Sequence, residues 1–147
     1  MIKKKKILCI IPGRSGSVGL KNKNIKIISG KPLIYWPIKA SLNSKYVDYT
    51  LVTTNSVKIK QIAKKNGANV PFLRPKKLST DKSKIADVIL HTLKYLKNKK
   101  MRFDYFILLE PTSPLTTSFD VDVIIKKLIS KKNYDSLVTV VQNITAH

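Results

Sequence analysis

The chain has 147 residues, 43% of them hydrophobic. That suffices for one domain with a buried core, and no run approaches the ~18 apolar residues of a membrane span. Against 8 acidic residues stand 29 basic ones, a formal charge of +21; the lysines are spread along the whole chain without interleaved aromatic residues, which argues for solvated faces and an anionic substrate and against a specific nucleic-acid site.

Behind the lysines of Met1–Lys6 lie only five apolar residues, Ile7–Ile11. They are too few for the apolar stretch of a signal peptide, so a cytoplasmic protein without a membrane partner is expected. The same run suits a central parallel strand covered on both faces, with the single cysteine, Cys9, as packing rather than a nucleophile. At Pro12 the run stops. Gly13, Gly16 and Gly19 follow at spacings of three, among Arg14, Ser15 and Ser17 and ahead of Lys21 and Lys23. Glycines let backbone N–H groups turn towards a phosphate, and arginine and lysine add charge beside it. The stretch therefore reads as a phosphate-cradling loop at a strand's carboxyl end. Val18 stands where a Walker loop needs glycine, and Ser15 where a dinucleotide fingerprint needs its second one.

A helix is expected from Pro32, in its first turn, to about Ser44. Leu33, Trp36, Ala40 and Leu42 mark its apolar side, and Pro37 implies an early turn or a kink. A strand over 46–53 and a helix over 57–67 follow, with Ile59, Ile62 and Ala63 inward and Gly67 as the stop. After an extended segment at 70–75 comes a helix over 83–97, inward at 85, 88, 89, 93 and 96, with His91 solvated. A buried strand at 103–109 leads to a helix capped by Ser118 or Asp120 and ending near Ser130; Val121, Ile124, Ile125 and Leu128 point inward. A last strand is expected at 135–141. The alternation predicts one α/β domain over 1–147, a doubly wound, mostly parallel sheet with helices on both faces.

Glu110, the chain's one glutamate, leaves the strand at 103–109. Pro111 and Pro114 stiffen the turn behind it and hold the hydroxyls of Thr112 and Ser113, a platform for a hydroxylated substrate. The plainer alternative is a strand-to-helix connector with a capping serine.

The run Arg14-Ser-Gly-Ser-Val-Gly-Leu-Lys-Asn-Lys-Asn24 resembles R-x-G-S-K-G-[IL]-x-x-K-N, the signature of the acylneuraminate cytidylyltransferase (CMP-sialic acid synthetase) family. Glu110-Pro-Thr-Ser-Pro-Leu115 is similar to its L-Q-P-T-S-P-L-R. Gly30–Ile34, Phe72–Pro75 and Leu78–Asp81 look like further family segments, so the resemblance runs from Ile7 onward. It implies a Rossmann-like nucleotidyltransferase fold. It also implies that Gly13, Arg14, Gly16, Ser17, Lys23, Asn24 and Arg74 bind CTP. Arg14 and Lys23 would be the catalytic groups on the triphosphate, and Asn24 and Arg74 would hold the cytidine. Glu110, Thr112 and Ser113 would face an acidic sugar. The implied reaction transfers CMP from CTP to a sialic-acid-like nonulosonic sugar and releases pyrophosphate. The rivals are a cytidylyltransferase for 3-deoxy-octulosonate or another nucleotide-sugar pyrophosphorylase, and a non-catalytic nucleotide-binding remnant. Family members are longer; their Mg²⁺ ligands and dimerisation segment are expected outside this chain, so a homodimer needs that C-terminal part. Asp81, Asp87 and Asp120 do not match the metal positions. Val18 replaces the loop lysine, for which Lys21 is a candidate substitute. Asn55 stands for aspartate, Glu110 for glutamine and Thr116 for arginine, so the sugar side departs more than the nucleotide side and an uncommon sugar is expected.

Overall fold

The computed structural model of the chain describes residues 4–16, 19–131 and 134–140. In chain order they form β1 (Ile7–Pro12), the two-residue pair β2 (Ile27–Ile28) and β3 (Lys31–Pro32), α1 (Tyr35–Leu42), β4 (Tyr49–Thr53), α2 (Val57–Lys65), α3 (Ile85–Asn98), β5 (Tyr105–Leu108) and α4 (Ser118–Ser130). β1 lies at the centre of a parallel sheet ordered β4-β1-β5, with Ile10 opposite Leu51 on one side and Leu108 on the other.

The unbroken apolar run of β1 is explained by burial on both faces. Ile7, Cys9 and Ile11 pack with Ile34, Ile38, Ile59, Val121 and Ile125, which puts α1, α2 and α4 on one face. Leu8 and Ile10 pack with Leu51 and Leu96, which puts α3 on the other. Each isoleucine buried this way contributes about 1.5–3 kcal/mol before chain entropy is charged against it. Beyond β4 the chain makes one more parallel step, where Asn69 bonds to Thr50 and Val52. α3 then carries it back over the opposite face to β5, the two-faced path that right-handed crossovers require. The strand order therefore reverses beside β1, and a crevice opens there at the carboxyl ends of β1 and β5.

Several local expectations change. α1 begins at Tyr35, because Pro32 ends the small β2–β3 hairpin, turned by Ser29 (φ 50°) and Gly30 (φ 75°). Pro37 falls in the first turn, where a missing N–H has no partner to lose. The buried side of α1 is Pro37, Ile38, Ala40 and Ser41, while Leu42 is exposed and Trp36 only half-buried. Ser41 tolerates burial because its hydroxyl pairs with that of Thr50 at 2.7 Å. In α3 Ile85 is exposed, while Val88, Thr92 and Leu96 are buried and Ile89 and Leu93 pack partly buried beside them; the Thr92 hydroxyl donates to the Val88 carbonyl at 2.9 Å. His91 is half-buried rather than solvated, edge-on to Phe72 at 5.0 Å. α4 is capped by Thr117, not Ser118 or Asp120; Asp120 closes the capping box as its third residue. The strand at 103–109 shrinks to β5, an edge strand with Phe106 exposed. Residues 135–140 form no strand, and Val141 lies outside the described residues.

Candidate functional site

The loop after β1 is pinned residue by residue. Gly13 donates its N–H to the Thr53 carbonyl at 3.0 Å. A Cβ at Gly13 would lie 2.7 Å from Ile34 Cδ1, so a larger residue would have to displace the end of that buried side chain. The Arg14 carbonyl accepts from Asn24 Nδ2 at 2.9 Å. Ser15 is held twice by Asn55: its N–H donates to Oδ1 at 3.0 Å, and its Oγ accepts from Nδ2 at 2.9 Å. Gly16 follows with φ 81° and accepts from Arg14 Nη1 at 3.2 Å. Lys23 then stands in a single 3-10 turn, Lys23–Ile25. Among the described residues no α-helix starts directly behind this loop, so its charge comes from side chains and not from a helix dipole.

Arg14, Lys23, Asn24, Arg74, Glu110 and Thr112 line one cleft of about 590 Å³. Residues from the ends of β1 and β5 and from the segment before α3 thus meet where the strand order reverses. Gly13 and Gly16 shape the loop without lining the cleft, and Ser17 lies outside the described residues. Ser113 is separated from Thr112 and lines a second cleft between β5 and α4, together with Thr116. Sequence reasoning missed the wall formed by Thr80, Asp81 and Ser83. Asp81 forms an ion pair with Arg14, a contact across 67 positions of chain that no local pattern announces.

Arg74 carries the strongest electrostatic signal. It is 5% exposed, and among the described residues its Nε and Nη2 have no hydrogen-bond partner. Burial, aided by repulsion from Arg14, lowers its pKa to about 10, so it stays charged at neutral pH. Buried donors left unpaired cost about 1–3 kcal/mol each, which a ligand acceptor in the cleft would recover. Partial burial pushes the Glu110 carboxyl above its ordinary range, opposed by the nearby Lys23 cation. Burial lowers the pKa of His91, with Arg74 and Lys77 adding to the effect. Cys9 is pushed up to about 12 by burial, against a smaller pull from Ser41, as befits a packing residue and not a nucleophile.

Among the described residues no group of three or more His, Cys, Asp or Glu comes together to hold a metal. The cleft's carboxylates are Asp81, which is taken by Arg14, and Glu110. This donor set does not fit a Mg²⁺ site by itself. None of the described helices is long and apolar enough to cross a membrane.

Residues 8–147 match the sequence model of a family described as cytidylyltransferase. The chain is 37% identical over 138 residues to the N-acylneuraminate cytidylyltransferase of Escherichia coli O18:K1:H7, covering 94% of this chain and 32% of that protein. It is 39% identical over 109 residues to the CMP-N,N'-diacetyllegionaminic acid synthase of Legionella pneumophila, covering 74% and 47%. It thus spans less than half the length of either relative. Among solved structures, a CMP:2-keto-3-deoxy-manno-octonic acid synthetase complexed with CTP superposes with a TM-score of 0.73 at 22% identity, over 88% of this chain and 49% of that one. That likeness bears on the fold, which agrees with a Rossmann-like nucleotidyltransferase.

Proposed function

The chain belongs to the cytidylyltransferase family, and from that premise we propose that it forms the nucleotide-binding part of an enzyme that transfers CMP from CTP to a sialic-acid-like nonulosonic sugar. The sugar hydroxyl gives up its proton to solvent as its oxygen forms a bond to the α-phosphorus of CTP. The bond from that phosphorus to the bridging oxygen breaks, and pyrophosphate leaves with the electron pair. Arg14 and Lys23 stabilise charge on the phosphates, Asn24 and Arg74 hold the nucleotide, and Glu110 and Thr112 face the sugar. Such a site works by positioning and electrostatics, without a covalent enzyme intermediate. Mg²⁺, a homodimer and a cytoplasmic setting belong to the same proposal; no ligand for the metal is assigned among the described residues.

The observation that carries this reading is Arg74: a buried, charged side chain with two donor nitrogens unpartnered among the described residues, on the wall of a cleft that also holds Arg14 and Lys23. Such a group calls for a polar or anionic ligand at that point. Calorimetry with CTP, UTP, ATP and GTP on the purified chain tests it. CTP is expected to bind most tightly, and Arg14→Ala to weaken it by about 1.5–3 kcal/mol, the scale of a charge-assisted hydrogen bond. Equal affinity for all four nucleotides would reduce the cleft to a general polyanion site.

A further inference from the structure

Asn55 lies just past the end of β4, outside the set of residues assigned to substrate, yet it makes two hydrogen bonds to one loop residue, Ser15. Which way its amide faces needs no visible hydrogens. The Ser15 N–H can only donate, so the atom opposite it at 3.0 Å is the acceptor Oδ1. Nδ2 then faces Ser15 Oγ at 2.9 Å and donates to it. The serine hydroxyl is thereby an acceptor in this pair, and its own hydrogen is left over. Among the described residues it has no acceptor. Ser15 is next to Arg14, which lines the cleft; Gly13 donates its N–H to the Thr53 carbonyl and the Arg14 carbonyl accepts from Asn24.

An aspartate at position 55 would act differently. An ionised carboxylate only accepts, so it would hold the Ser15 N–H and also take the hydroxyl hydrogen. The loop would keep its place and lose one donor. We propose that Asn55 is a positioning residue for the phosphate loop, and that its amide directs the Ser15 hydroxyl hydrogen to an oxygen of a bound polyphosphate. The inference rests on the reading of this loop as the polyphosphate site.

Inorganic pyrophosphate is the probe, titrated by calorimetry into the chain and into S15A, N55A, N55D and the S15A/N55D double variant. Exchange of the Ser15 amide hydrogen, read by NMR, reports the pin itself. Losing a hydrogen bond to an anionic oxygen weakens binding by roughly tenfold to a hundredfold, so S15A is expected in that range. N55A loses both bonds, and its Ser15 amide exchanges faster. N55D restores the amide protection but not the affinity. In the N55D background S15A changes affinity less than twofold, because the added charge is common to both arms and the hydroxyl is already committed. An equal S15A effect in both backgrounds would overturn the proposal. If N55D does not fold, S15A decides alone, since it leaves β4 untouched: unchanged pyrophosphate affinity overturns the inference. A wild-type chain that ignores pyrophosphate removes this inference and the loop assignment together. A chain that passes the cycle yet shows no preference for CTP loses only the nucleotide reading.

Discussion

Arg74 predicts opposite signs for stability and for binding. It is 5% exposed, finds no partner for Nε and Nη2 among the described residues, and is repelled by Arg14. Its main-chain N–H bonds to the Thr54 carbonyl at 2.7 Å, a contact no side-chain substitution touches. Arg74→Met keeps the unbranched stem and removes the charge and both orphaned donors. Two such donors at about 1–3 kcal/mol each, set against some lost packing, give a net stabilisation of about 1–3 kcal/mol. For a chain of this size that is a rise of roughly 3–10 °C in Tm. The same change deletes charge-assisted bonds to the ligand and weakens CTP binding by at least about 1.5–3 kcal/mol, or about tenfold to more than a hundredfold. Thermal denaturation followed by circular dichroism gives the first quantity and titration calorimetry the second. A variant less stable than wild type that binds CTP as before would refute the argument and make Arg74 a structural residue.

Three further outcomes are expected. On the proposed role of Arg14 at the phosphates, Asp81 would compete for it; both side chains are partly exposed, so the pair is worth about 0.2–1 kcal/mol and Asp81→Asn should tighten pyrophosphate binding by up to about fivefold, with weaker binding counting against competition. Burial raises the pKa of Glu110 in the folded state, so the unfolded chain binds fewer protons and stability falls as pH rises from the ordinary carboxylate range through the raised one. Glu110→Gln should therefore stabilise the chain at pH 7, with the difference vanishing below about pH 4; in the full-length protein it should alter the preference among acceptor sugars and leave CTP affinity nearly unchanged. Duplex DNA should bind weakly, without sequence preference and with steep loss in salt, and submicromolar sequence-selective binding in a gel-shift assay at physiological salt would contradict the reading of the lysines as solvated faces.

What the sequence by itself determined lies in short-range patterns. The apolar run Ile7–Ile11 marked the central strand because burial on both faces leaves no polar position in it. Glycine spacing after Pro12 located the loop, and Glu110-Pro-Thr at a second strand's end located the opposite wall, because open α/β sheets gather sites at strand ends. The helical periods expected over 57–67 and 83–97, found as helices at 57–65 and 85–98, were legible because each is a local repeat. Only the tertiary structure decided which side chains meet. It paired Asp81 with Arg14 and Asn55 with Ser15, sent Ser113 to a different cleft from Thr112, and buried Arg74 with donors to spare. It also buried Ser41 and Thr92 where a hydrophobic pattern would skip them, since each hydroxyl finds a partner inside. Burial and pairing across tens of residues depend on how elements pack, and that is set by the whole fold and not by any window of the chain.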